Sequence, residues 1–159
     1  MRRKEGERMD AVRIIAASRR GLAESTTVQD VIVEAWQAQA LAEAIGSHLA
    51  ICGPYEVRSR AQGLGAASGR FSGGLPRSTP ARGGLRAAQL SEVRDVRAAL
   101  SGLCRLLREV CEALVGVVLL AEEEGTYWTC VEAMDTLDES RDRVTGILEK
   151  LEVRDPNPA

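Results

Sequence analysis

Apolar positions recur with helical period in four long stretches of the chain and with strand period in none. The first stretch, Asp10 to Leu22, places Val12, Ile15 and Ala16 toward one side. Asp10 is its candidate N-cap, and Gly21 lies near its stop. The second runs from Thr26 to Ala50. Val28, Val31, Ile32, Ala35, Leu41, Ala42, Ile45 and Leu49 form its stripe, and Thr26 and Gln29 have capping-box spacing. Gly53-Pro54 closes it, because proline lacks a backbone donor and restricts the residue before it. Pro54 then suits the first turn of a short helix reaching about Gln62.

The pattern breaks from 63 to 84. Seven glycines and two prolines fall there, and the large apolar residues are only Leu64, Phe71 and Leu75. A 22-residue segment without periodicity predicts a disordered or weakly packed loop. Regularity returns from Leu85 to about Glu123. Leu90, Val93, Arg97, Leu100, Cys104, Leu107, Cys111, Leu114 and Val118 mark one line, widened by Val96, Leu103, Val110 and Val117. The run Ala113 to Ala121 is apolar all round, so it is expected at the centre of a bundle or in a dimer interface. Glu122-Glu123-Glu124-Gly125 reads as a turn. The last helix is expected over Thr126 to Leu151, with Tyr127 or Trp128, Val131, Met134, Leu137, Val144, Ile147 or Leu148, and Leu151 on its stripe.

These elements predict an all-α fold: an antiparallel bundle of four main helices, a short helix and a long Gly/Arg-rich loop. The expected organisation is a single domain over 9–153 with a flexible loop at 63–84. Residues 1–8 are expected to be a disordered extension preceding a natural start at Met9, and 154–159 a disordered tail. A length of 159 residues suits one domain and is short for two.

Composition narrows the chemistry. The five aromatic residues are Trp36, Tyr55, Phe71, Tyr127 and Trp128, and the single histidine is His48. A histidine-rich metal site and a stacking platform for sugars or RNA are therefore excluded. Net charge is −2, which gives the whole chain no attraction to nucleic acid or an anionic membrane. The distribution is uneven, however. Between Pro54 and Ala88 six arginines face one glutamate, a local +5 set in a body of −7. That asymmetry keeps nucleic-acid association through the loop as a weaker alternative. The longest apolar run is nine residues, against the ~20 that a membrane span needs. No secretory signal is visible, and a cytoplasmic location without membrane contact is expected.

Motifs for catalysis are weak. Cys52, Cys104, Cys111 and Cys130 lack C-x-x-C spacing and read as buried apolar thiols. The glycines from Gly63 to Gly69 resemble a phosphate loop but follow no strand and precede no Lys-Ser/Thr. Glu132, Asp135 and Glu139 share a helix face, yet a carboxylate di-metal bundle needs Glu-x-x-His, and position 45 before His48 is isoleucine. No catalytic, cofactor or metal residues are assigned. Trp36, His48, Tyr127 and Trp128 remain as candidate partner or ligand contacts, since tryptophan and tyrosine dominate interface hot spots.

Four segments carry a resemblance: Met9-Asp-Ala-Val-Arg-Ile-Ile-Ala-Ala-Ser-Arg19, the stretch from Thr26 to Leu41, Gly84 to Arg97, and Glu124-Gly-Thr-Tyr-Trp128. Together they resemble a small uncharacterised helical protein family of actinobacteria such as Streptomyces, over most of 9–150. The resemblance implies a bacterial protein and brings no catalytic residues. The expected function is a non-enzymatic interaction or regulatory module that binds a protein partner or forms a homodimer. The rival is a ligand-binding or enzymatic bundle with a pocket near Trp36 and His48.

Overall fold

The computed structural model describes residues 9–66 and 85–154. The expectations for 1–8, for the glycine-rich stretch from 67 to 84 and for the tail from 155 lie outside the described residues.

The protein is all-α. Its helices are α1 (Ala11–Ala23), α2 (Val28–Cys52), α3 (Arg58–Ala66), α4 (Val96–Val118) and α5 (Glu124–Arg154), with a 3-10 turn at Tyr55–Val57 leading into α3. The starts of α1, α2 and α4 follow from their caps. The Asp10 carboxylate accepts from the Val12 N–H at 3.2 Å and starts α1. For α2 the capping box is Thr27 with Asp30, one residue beyond the predicted Thr26–Gln29 pair. A carboxylate is the stronger acceptor. Asp30 takes the N–H groups of both Thr26 and Thr27, at 3.2 and 3.3 Å. These bonds, Thr26 first, hold its carboxyl below the ordinary value. Asp95 caps α4 by accepting from the Ala98 N–H at 3.0 Å.

That last cap corrects the expected helix from Leu85. Residues Arg86–Gln89 form a 3-10 turn instead, and Leu90–Glu92 form a strand, β2. It pairs in parallel with β1 (Met9–Asp10), matching Met9 to Leu90 and Asp10 to Glu92 across a register shift. The cause is non-local. The Arg86 N–H donates to Gln37 Oε1 at 2.9 Å, and its guanidinium grips Glu34 at 2.7 and 2.9 Å. These contacts hold the segment along α2, beside Gly21 near the end of α1. Two further boundaries also differ from expectation. The predicted loop begins within α3, whose last turn covers 63–66, and α4 ends at Val118, leaving Leu119 and Leu120 in the bend before α5.

Helix α2 is central and touches α1, α3, α4, α5 and β2. Ile32, Leu41, Ile45 and Leu49 from α2 and Leu100, Leu103, Leu107 and Leu114 from α4 are almost wholly buried. Helix α1 lies along α4, with Ile15 against Gly102 and Arg19 bonded bidentately to Glu109 at 3.0 and 2.9 Å. Helices α4 and α5 run in opposite directions, with Cys104 beside Thr145 and Cys111 beside Asp138.

The crossing of α2 and α3 depends on glycine. A Cβ on Gly46 would sit 2.8 Å from the Gly65 backbone nitrogen and 3.0 Å from the Ala61 carbonyl oxygen. Neither atom can yield without moving the helix. Gly116 on α4 has nothing within 4 Å of the same position. Alanine is better than glycine in a helix by about 1 kcal/mol, so the two sites should respond with opposite sign. Gly46→Ala is expected to lower unfolding stability by about 1–3 kcal/mol through overpacking. Gly116→Ala should raise it by about 0.5–1 kcal/mol. Urea denaturation checks both. Arg86→Met should cost about 2 kcal/mol in the same assay, because it strands the Glu34 carboxylate in a mostly buried position.

Candidate interaction surface

The last turn of α4, the bend and the first turns of α5 expose apolar side chains that a soluble core would normally take in. Leu119 is 87% exposed, Leu120 68%, Val115 59%, Trp128 54% and Tyr127 39%. The geometry of α4 explains the first three. Its buried line ends at Leu114, and Val117 and Val118 continue it only half-buried. Val115 and Leu119 are four residues apart and therefore share another side of the helix, toward solvent. The run Ala113 to Ala121, expected to be covered on every side, is thus covered on one.

On α5 the buried line is Cys130, Ala133, Leu137, Ser140, Val144, Ile147 and Leu151. Tyr127 and Trp128, expected to open this line, precede it and are exposed instead. Their rings meet edge to face, with centroids 5.3 Å apart and planes at 86°, the geometry that aromatic quadrupoles favour. All five apolar side chains fall within the 14 residues 115–128, so one bend gathers them at one end of the molecule. Gly116 and Gly125 leave open space beside them.

The other two candidates lie elsewhere. Trp36 is in the core, 7% exposed. His48 is half-buried on α2, 12 residues further on, which is about 18 Å along the helix axis. The structure brings Tyr127 and Trp128 together and keeps Trp36 and His48 apart from each other.

Two open clefts flank α3. The larger, about 580 Å³, is lined by Ala50, Tyr55, Glu56, Arg58, Ser59, Gln62 and Lys150. The smaller, about 420 Å³, lies between α3 and α5 and contains Arg60, Arg143, Glu139 and Asp142. Trp36 and His48 line neither. In the smaller cleft two cations face two anions. Arg143 already holds Glu139 at 3.2 Å, and Arg60 donates to the Gly146 carbonyl at 3.3 Å. Its charges are matched internally and select no ligand sign.

The arginine cluster is likewise partly engaged. Arg58 donates to the Gly53 carbonyl at 2.9 Å, Arg60 caps Gly146, and Arg86 holds Glu34. Arg70, Arg77 and Arg82 lie outside the described residues. Bonding to Glu34 holds the Arg86 guanidinium above its ordinary pKa, against the opposing effect of burial. Among the described residues no three His, Cys, Asp or Glu side chains converge as metal ligands. No helix among them is long and apolar enough to cross a membrane.

A family model described as "Family of unknown function (DUF6099)" matches residues 9–150. The chain belongs to this family. No curated protein and no solved structure matches it. The DUF6099 match spans every element described above up to the last turn of α5, and so includes the exposed bend.

Thiol chemistry gives a direct test of these environments. Burial first, and Asp138 second, push the Cys111 thiol up to about 11. Burial alone raises Cys130. Cys52 is exposed. At pH 8 only ~0.1% of Cys111 would be thiolate, the reactive form. A disulfide-exchange reagent is expected to modify Cys52 rapidly and Cys111 and Cys130 only after denaturation, as read by mass spectrometry of peptides at timed intervals.

Proposed function

We propose that this DUF6099 chain is a non-enzymatic protein-interaction module and that the bend between α4 and α5 is its contact surface. The observation that carries the reading is the clustering of Val115, Leu119, Leu120, Tyr127 and Trp128 in the open. Exposed leucines occur singly on many proteins. A group of five around one bend, holding two of the chain's five aromatics, is different, because tryptophan and tyrosine supply large contact area at small entropic cost. The core beneath supports this role. We read the four long helices as one antiparallel bundle over 9–153, a rigid platform that presents the bend without needing to move.

The rival readings have less support. A pocket joining Trp36, His48 and α5 would need residues that stand about 18 Å apart along one helix. Nucleic-acid binding by the arginine cluster would compete with the intramolecular bonds of Arg58, Arg60 and Arg86.

Site-specific photocrosslinking tests the proposal in the full chain inside its native cells. A benzophenone amino acid at Leu119 or Val115 should yield a discrete crosslinked species. The same probe at Arg13, exposed on α1, should not. Equal patterns from 119 and 13, or no adduct from either bend position, would overturn the assignment.

A further inference from the structure

The exposed apolar bend is bordered by charge of one sign. From Glu109 to Glu139 the chain contains nine carboxylates and no arginine or lysine. Four of the nine are held by arginines at the edges: Glu109 by Arg19, Glu112 by Arg108, Asp138 by Arg141 and Glu139 by Arg143. The other five are Glu122, Glu123, Glu124, Glu132 and Asp135. All five are exposed, and among the described residues none makes an ion pair. Glu122 and Glu123 sit in the bend, and Glu124 opens α5 just before Tyr127. Glu132 and Asp135 follow Trp128 at i+4 and i+7, on the same side of α5. The apolar patch therefore has an uncompensated acidic margin of formal charge −5.

Part of that charge has a local role, since carboxylates at a helix start complement its dipole. Glu124 lies in the first turn of α5 and fills this role. It extends poorly to Glu132 and Asp135, two and three turns further in, because the dipole effect fades within the first turn.

Resting on the contact-surface reading above, we propose that the occupant of this bend is a basic amphipathic segment of another protein, with apolar side chains seated on Leu119, Leu120 and Trp128 and arginine or lysine at its margins. Three other occupants fit the charge poorly. A second copy docking by the same face would bring its own −5 margin against this one, and like charges facing each other oppose a symmetric contact. A second copy docking by a different face would make a head-to-tail contact, which closes only as a ring and otherwise propagates. Anionic lipid and nucleic acid would both meet repulsion. A cationic margin gains twice, from the carboxylates and from the faces of Tyr127 and Trp128, which attract guanidinium and ammonium groups.

The test uses the full chain and a fluorescein-labelled amphipathic peptide of about five helical turns, with leucine on one face and arginine along both edges. A control peptide carries glutamate at every arginine position. Fluorescence anisotropy should show the arginine peptide binding at least about tenfold more tightly than the glutamate peptide, and more weakly as salt is raised. Trp128→Ala and Leu119→Ser should each weaken it about tenfold. Both positions are exposed, and circular dichroism should show that the variants keep the fold. The combined variant Glu122→Gln, Glu123→Gln, Glu124→Gln should bring the two peptides' affinities together.

Equal binding of both peptides, or no change in the triple variant, would overturn the proposed charge of the partner while leaving the contact surface standing. Binding of neither peptide, or binding indifferent to Trp128→Ala and Leu119→Ser, would overturn the proposal outright. A dimer in sedimentation that Leu119→Ser dissociates would assign the bend to a second copy instead. The photocrosslinking result is independent of all these outcomes, so failure of the partner chemistry and failure of the contact surface are told apart.

Discussion

Burial of α2 on nearly all sides is the constraint from which the remaining architecture follows. From Val31 to Ala42 only Val33 and Ala40 are not fully buried, although the stretch contains Glu34, Gln37 and Gln39. A buried polar group costs a few kcal/mol unless it is paired. Each therefore dictates a neighbour. Glu34 requires a cation, and Arg86 supplies one across 52 residues of sequence. Gln37 accepts from the Arg86 backbone, which fixes the path of the chain entering β2. Gln39 accepts from Ser140 on α5 at 2.9 Å, which sets how α5 lies against α2. The polar side of α2 thus works as a set of addresses for segments that have no local reason to pack there.

The same requirement explains a glycine in α1. A Cβ at Gly21 would lie 2.5 Å from Arg86 Nη2 and 2.7 Å from Glu34 Oε1. α1 approaches α2 where the ion pair fills the space a side chain would need. Propensity alone would class Gly21 as a helix stop, yet the helix continues to Ala23. Packing decides in its place.

Helix existence was readable from periodicity, because the stripes of α2, α4 and α5 are long and regular. Boundaries were less so. Leu90 and Val93 continue the spacing of α4 backward, broken only at Arg97, and beyond the Asp95 cap the hold on Glu34 and the pairing with Met9 turn that stretch into a 3-10 turn and a strand. Both partners are distant in sequence, so no local pattern contains them. Trp36 shows the same limit. Beside Glu34, Gln37 and Gln39 it reads as the polar edge of a helix, whereas those neighbours are buried with it. Tyr127 and Trp128 stood out by rarity. Val115, Leu119 and Leu120 did not, because an apolar run predicts burial, and which of its sides is covered depends on where α4 ends relative to α1 and α2. A local hint was present: three glutamates follow the run at once, and carboxylates there keep that end of the helix in water.

The pairing of β1 with β2 has a consequence for how the polypeptide acquires its shape. Met9 is bonded to Ser91 across 82 residues, and Arg19 reaches Glu109 across 90. Helix α1 therefore emerges from the ribosome long before its partners on β2 and α4 exist. Until then it can rest only on α2. The amphipathic α1 must wait, solvated or loosely docked, while more than half of the chain is synthesised. Long-range closure of this kind slows folding and leaves apolar surface open to other chains in the interval. Among the described helices, the one made first has partners that are among the last to be made.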